Sequence, residues 1–112
     1  MNIEMEKLDD GVVEIKLAGR MDVQGSQQID LKFTAMTAAD KGKFVVDLAA
    51  VEFLASIGIR TLILSAKAVK ARGGKMALFN PNANITKVLD MASVDTIIPV
   101  MPDRAAACAA VA

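Results

Sequence analysis

The run Phe44-Val45-Val46-Asp47-Leu48 constrains this chain more than any other segment. It is short, apolar and rich in β-branched side chains, the pattern of a strand covered on both faces and therefore central in its sheet. Downstream, Ile59, Leu62, Ile63, Ala66 and Val69 recur at helical spacing between Ile57 and Arg72, which places one apolar stripe along a helix. Gly73 and Gly74 end that helix by supplying the left-handed backbone found at many helix C-termini. Met76 to Phe79 then reads as a second buried strand. Strand, helix and strand in this order form a parallel unit with a right-handed crossover.

The flanking segments extend that unit. Ile3 and Met5 alternate with Glu4 and Glu6, Val13, Ile15 and Leu17 alternate with Glu14 and Lys16, and Asp9-Asp10-Gly11 lies between them. Two strands joined by an Asp-Gly turn make an antiparallel hairpin. Gly19 to Gly25 reads as a loop, and Ile29, Phe33 and Met36 mark a helix that Ser26 is placed to cap and that runs to about Ala39. After Met76 to Phe79, Asn80-Pro81-Asn82 introduces a short helix through about Met91, with Ile85, Val88 and Leu89 inward. Ile97 to Val100 is a last strand, held at a sheet edge because Pro99 cannot donate to a ladder. Asp103 to Ala112 is an alanine-rich final helix. The expected fold is one α/β domain over residues 1–112, with a mixed, mostly parallel sheet, an N-terminal β-hairpin and about four helices. Sites in such sheets gather beyond the carboxyl ends of the strands, here the loops after Leu17, Leu48 and Phe79.

Composition removes several function classes. No apolar stretch approaches the roughly 20 residues of a membrane-spanning helix, and the acidic opening segment Met1 to Asp10 does not resemble a secretory signal, so a cytoplasmic protein without membrane insertion is expected. Cys108 is the only cysteine and histidine is absent, which leaves no internal disulfide and no plausible zinc site. In an alanine-rich helix Cys108 reads as a small buried hydrophobe. Thirteen basic residues balance thirteen acidic ones, and Lys67, Lys70, Arg72 and Lys75 form one local cluster of the kind that usually decorates a solvated helix face. Four phenylalanines are the only aromatics, so the stacking platforms of a single-strand nucleic-acid binder are missing. No glycine-rich phosphate loop and no base beside a nucleophile support an enzyme, and neither cofactor nor metal is expected.

The informative segment is Val51-Glu52-Phe53-Leu54-Ala55-Ser56-Ile57-Gly58-Ile59-Arg60. Ser56 stands where the helical periodicity begins. One reading makes it a helix cap, worth about 1 kcal/mol. The other uses the same place chemically, because a helix N-terminus offers free N–H groups and partial positive charge to an anion. A phosphate on Ser56 would suit the protein, whereas a partner packed over the serine would meet its roughly 1.5 to 2 negative charges. Gly58 has poor helix propensity, which implies close approach of a partner or of the adjacent strand. Arg60, one turn along, is either a solvated side chain or a partner for that phosphate.

Val45-Val46-Asp47-Leu48 followed by Val51 to Arg60 resembles the signature of STAS domains, in which a buried strand leads through a short loop to a serine opening the second helix. Gly19-Arg20-Met21-Asp22 resembles the family's glycine and aspartate after the second strand, and the Gly73-Gly74 helix end with Met76 to Phe79 also fits. The match covers nearly the whole chain. Among STAS proteins it is similar to the anti-sigma factor antagonists. That resemblance implies Ser56 as phosphoacceptor of a serine kinase that is itself the anti-sigma factor. The unphosphorylated form would bind that kinase, a phosphatase would be a further partner, and Asp22 would border the binding site. Asp22 is equally a cap or turn residue by its position. The family commonly has Asp-Ser-Ser or Asp-Ser-Thr before the glycine, where this chain has Ala55-Ser56-Ile57. The resemblance also admits a STAS subunit of a larger assembly, a stressosome-like scaffold or a lipid-transport ABC complex.

Ile57, Thr61, Leu64 and Ala68 form a second stripe nearly opposite the core stripe of the same helix. Either neighbouring helices cover it, or Ile57 and Leu64 flank Ser56 on a docking surface that also includes Asp22, Gly58 and Arg60.

Overall fold

The computed structural model describes residues 1–38 and 41–112, and over them five strands and four helices follow the expected order. Strands β1 (Asn2–Lys7) and β2 (Val12–Met21) pair antiparallel, with Met5 opposite Ile15. Their connection, Asp9–Gly11, is a single 3-10 turn in which Asp10 and Gly11 take φ of 67° and 76°. Aspartate tolerates that left-handed backbone and glycine adopts it freely, which is why an Asp-Gly pair makes the hairpin.

Helix α1 (Val23–Met36) leads to strand β3 (Lys43–Leu54), helix α2 (Ser56–Ala71) and strand β4 (Lys75–Phe79). Helix α3 (Ala83–Met91), strand β5 (Val100–Met101) and helix α4 (Arg104–Val111) complete the chain. The sheet order is β1-β2-β3-β4-β5, parallel from β2 onward. Phe44 to Leu48 is buried throughout at its centre. Helices α1, α2 and α3 cover one face, where Ile29, Phe33, Leu62, Val69, Ile85 and Leu89 pack on Ile15, Leu17, Val46 and Leu78. Helix α4 covers the other, with Ala107 and Val111 on Val12, Val45, Ala77 and Phe79.

Several boundaries differ from the sequence expectation. The stretch Gly19 to Gly25 is not a loop: β2 continues to Met21 and α1 starts at Val23, leaving Asp22 as the whole connection. The cause is β3, which does not stop at Leu48 but carries Val51 and Phe53 on to Leu54 and pairs Met21 with Leu54. Ser26 therefore does not cap α1; it is buried inside the helix, and Asp22 is the cap. The end expected near Ala39 lies outside the described residues; α1 closes at Met36 with Thr37 as its C-cap. The last strand begins after Pro99 rather than at Ile97, because the Ile98 N–H bonds the Val94 carbonyl in a preceding turn. It is an edge strand, as expected.

Alternation predicts Glu14 on the polar face of β2, yet only 2% of its side chain is exposed. Arg104 at the start of α4 reaches over it, donating from Nε to the Glu14 carboxylate and lying 6.0 Å above the Phe79 ring. The hydrogen bond from Arg104 to Glu14, together with the charge of that carboxylate, raises the arginine's pKa above its ordinary value.

Candidate functional site

The parallel pairing of β2 with β3 brings two strand-to-helix junctions side by side. Met21 and Leu54 are register partners, and the Ala55 N–H donates to the Met21 carbonyl at 3.0 Å. Asp22 follows Met21 directly and Ser56 follows Ala55, so both stand at the carboxyl end of the sheet, each at the start of its helix. The loops that matter follow Met21 and Leu54, not Leu17 and Leu48. The third loop, after Phe79, is tied to the same edge: Asn82 caps α3 by accepting from the Ile85 N–H at 2.9 Å, and its Nδ2 donates to the Val51 carbonyl at 3.1 Å.

The first junction is closed. Asp22 Oδ1 accepts from the Gly25 N–H at 2.7 Å, satisfying one of the four free donors at the start of α1. Gly25 is required there, because a Cβ would lie 1.9 Å from the Arg20 carbonyl oxygen. Arg20 lies 3.8 Å from Asp22 and stacks 4.6 Å from the centre of the Phe53 ring. This exposed pair gives the half-buried Asp22 a cationic neighbour. The sequence reading missed that stack, since nothing in the primary pattern aligns Arg20 with Phe53 until the β3 extension is known.

The second junction is open. Ala55 is the N-cap residue of α2 and supplies no side-chain hydrogen bond. The first helical bond runs from the Ile59 N–H to the Ala55 carbonyl, at 3.1 Å. Ser56 is thus the first helical residue and not the cap, and it is exposed. Gly58 is buried, and a Cβ there would lie 2.7 Å from Met21 Cγ and 2.8 Å from Leu54 Cδ1. The adjacent strand, the second of the two causes considered for this glycine, accounts for it. Gly58 lets α2 sit down on the end of β2 and offers no surface of its own.

The remaining candidates lie along α2. Ile57 is half-buried and Arg60 exposed, four residues on from Ser56, so that the two share a helix face. Leu64 is 53% exposed and Ala68 half-buried, whereas Thr61 is buried against α1 and bonds its hydroxyl to the Ile57 carbonyl at 3.1 Å. Helix α1 therefore covers part of the second stripe and leaves Leu64 in the open. Lys67, Lys70, Arg72 and Lys75 are all exposed, as a solvated face requires. Cys108 is half-buried in α4, on the opposite side of the sheet.

This fold, with its serine-opened second helix beside an aspartate loop, is that of a STAS domain. Residues 2–107 match the STAS domain model, and the chain belongs to that family. BtrV of Bordetella bronchiseptica, which is named as an anti-sigma factor antagonist, is 26% identical over 110 residues, spanning 98% of this chain and 94% of that protein. The anti-sigma F factor antagonist of Paenibacillus polymyxa is 27% identical over 101 residues, spanning 89% and 86%. The structure is similar to that of an anti-sigma-factor antagonist (STAS) domain protein from Planctomyces limnophilus, with a TM-score of 0.84 at 25% identity over 96% of each chain. Among the described residues no helix is long and apolar enough to cross a membrane.

Proposed function

We propose that this chain is a cytoplasmic anti-sigma factor antagonist, a binding protein and not an enzyme. It engages an anti-sigma factor with serine kinase activity while Ser56 is unphosphorylated and releases it once Ser56 carries phosphate, with a phosphatase restoring the binding form. The observation that carries this reading is the exposed Ser56 hydroxyl at the first position of a helix whose N-terminus has no side-chain cap, in a STAS domain whose relatives bear the antagonist name.

The physical argument runs through charge. A phosphate on Ser56 would face the free first-turn N–H groups and positive end of α2, so the fold keeps its stability in both states. For a partner packed over Ser56 the same roughly 1.5 to 2 negative charges must be desolvated, and they add to the carboxylate of Asp22 next door. Arg60 is one turn along, at the spacing that lets it pair with the phosphate within α2. Ile57 and Leu64 supply the apolar part of the contact, and Gly58 fixes the height at which α2 presents them.

Ser56→Ala should bind the partner constitutively. Ser56→Asp or the phosphorylated protein should bind it at least about tenfold more weakly, which is roughly 1.4 kcal/mol. Capture of the partner from native cells with each form, together with mass spectrometry of Ser56, measures this. Equal binding by all three forms overturns the switch, and co-purification with membrane subunits instead would assign the domain to a transport assembly. Leu64→Arg should fold normally and lose affinity; an unfolded variant would return Leu64 to the core.

A further inference from the structure

Helices α1, α2 and α3 share one face of the sheet, and α4 covers the other alone. Its sequence, Arg-Ala-Ala-Ala-Cys-Ala-Ala-Val, gives it little to hold with, and only Ala107 and Val111 are buried. The strands beneath depend on it more than it grips them, since Val12, Val45, Ala77 and Phe79 are at most 5% exposed. A cleft of about 340 Å³ undercuts the helix on the side of the hairpin turn, between Cys108 and the segment of Leu8, Asp9 and Val12. At its end the Lys75 ammonium donates to the Ala112 carbonyl at 3.1 Å, an exposed contact.

What compensates for this sparse packing is the ion pair at the start of the helix. Glu14 lies two residues after Val12 in β2 and pairs with Val45, so its carboxylate is on the α4 side of the sheet. The pair is unequal, because the Glu14 side chain is 2% exposed and that of Arg104 54%. Water already reaches the cation, whereas the carboxylate gains water only when the helix leaves. Glu14 also stands directly opposite Glu6 across the β1 and β2 strands, and like charges so placed repel. The charge of Glu14 foremost, then those of Asp47 and Glu6, act on Arg104. Among the described residues no other cation is within ion-pair distance of Glu14. Docking of α4 therefore brings the counter-ion for a carboxylate that lies buried on the face it covers.

We propose that α4 is a strap that undocks as a unit about Pro102 and Asp103, with Arg104 on Glu14 as its latch, while the sheet and α1 to α3 stay folded. Undocking opens the face of Val12, Val45, Ala77 and Phe79, on the side of the sheet away from α2 and Ser56. A helix of eight residues is too short to persist alone in water, so each opening exposes all of its amides at once.

Hydrogen exchange of the full chain, followed by ¹⁵N NMR and corrected for intrinsic rates, tests this. The amides of Ala107 to Val111 should share one protection factor within about threefold, at least about a hundredfold below that of Val45 and Val46 in β3. It should also lie at least about tenfold below that of Leu89 in α3, a helix of nearly the same length. Arg104→Gln leaves a buried carboxylate unpaired and should speed exchange as far along as Val111 by about tenfold or more, with β3 unchanged. Glu14→Gln alone removes only the buried charge and should change α4 exchange by less than about threefold; added to Arg104→Gln, it should restore exchange to within about threefold of the parent. Protection in α4 equal to that of β3 overturns the proposal, as does protection that declines steadily toward Val111, which is fraying. So does acceleration of β3 together with α4 in Arg104→Gln, or a double variant no better protected than that single one.

Discussion

The two junctions at the carboxyl end of the sheet are built on one plan and finished differently. Asp22-Val23-Gln24-Gly25 opens α1 and Ala55-Ser56-Ile57-Gly58 opens α2, each with an extended cap residue and a buried glycine three positions later. At α1 the cap is an aspartate that bonds the glycine N–H. At α2 it is an alanine that bonds nothing with its side chain, and the next residue is an exposed serine. The shared glycines are about packing the helix onto the strand end. The unshared cap is about what the helix end is left free to do. In α1 one of the first-turn donors is met by the Asp22 side chain, while in α2 no side chain meets any of them and they remain available to an added anion.

The largest effect is expected at the glycines. Gly25→Ala puts a Cβ 1.9 Å from the Arg20 carbonyl oxygen, a backbone atom that cannot step aside without moving β2. Overpacking of this kind costs about 3 kcal/mol or more, so the variant should be largely destabilised in a urea titration. Gly58→Ala meets two side-chain atoms first, Met21 Cγ at 2.7 Å and Leu54 Cδ1 at 2.8 Å, and the Met21 carbonyl oxygen only at 3.0 Å. Its cost should be smaller, about 1 to 2 kcal/mol, because side-chain adjustment and the better helix propensity of alanine offset part of the clash. Equal losses at the two positions would break the claim that the α1 junction is the rigid one.

The sequence made this plan visible only in part. Phe44 to Leu48 declared the central strand because burial on both faces leaves a continuous apolar run. The extension to Leu54 was hidden because Ala49, Ala50, Glu52 and Phe53 are exposed while Val51 and Leu54 are buried, so the composition there is that of a connector. Misplacing that end displaced the next inference as well: with β2 thought to finish at Leu17, Ser26 looked like a cap, when the pairing of Met21 with Leu54 gives that role to Asp22. The burial of Glu14 was unreadable for a different reason, since its partner Arg104 is 90 residues away in the chain. Ser56 and Asp22 were legible as a pair because each lies at a strand-to-helix boundary, and such boundaries show as breaks between two periodicities. The burial of Ser26 and Thr61 was not, because it arises only from packing in the folded chain.

The smaller predictions concern the caps themselves. Asp22→Ala should remove the bond to Gly25 and cost about 1 kcal/mol, lowering the melting temperature by roughly 4 to 6 °C. Asp22→Asn keeps a capping oxygen and should cost only a few tenths of that, since the exposed Arg20 ion pair contributes little. The two variants together separate structure from binding, because a loss of partner affinity in Asp22→Asn without a loss of stability would assign the charge to the interface.

The converse change is Ala55→Asp, which gives α2 the cap that α1 already has. If the first-turn donors of α2 are free, the carboxylate should accept from the Gly58 N–H as Asp22 does from Gly25, and the helix end should gain about 0.5 to 1 kcal/mol. Thermal melts of the unphosphorylated protein measure this directly. A gain would show that the open end of α2 forgoes stability that one substitution restores. No gain would mean that those donors are already satisfied, and the contrast between a closed and an open junction would fail at its most specific point.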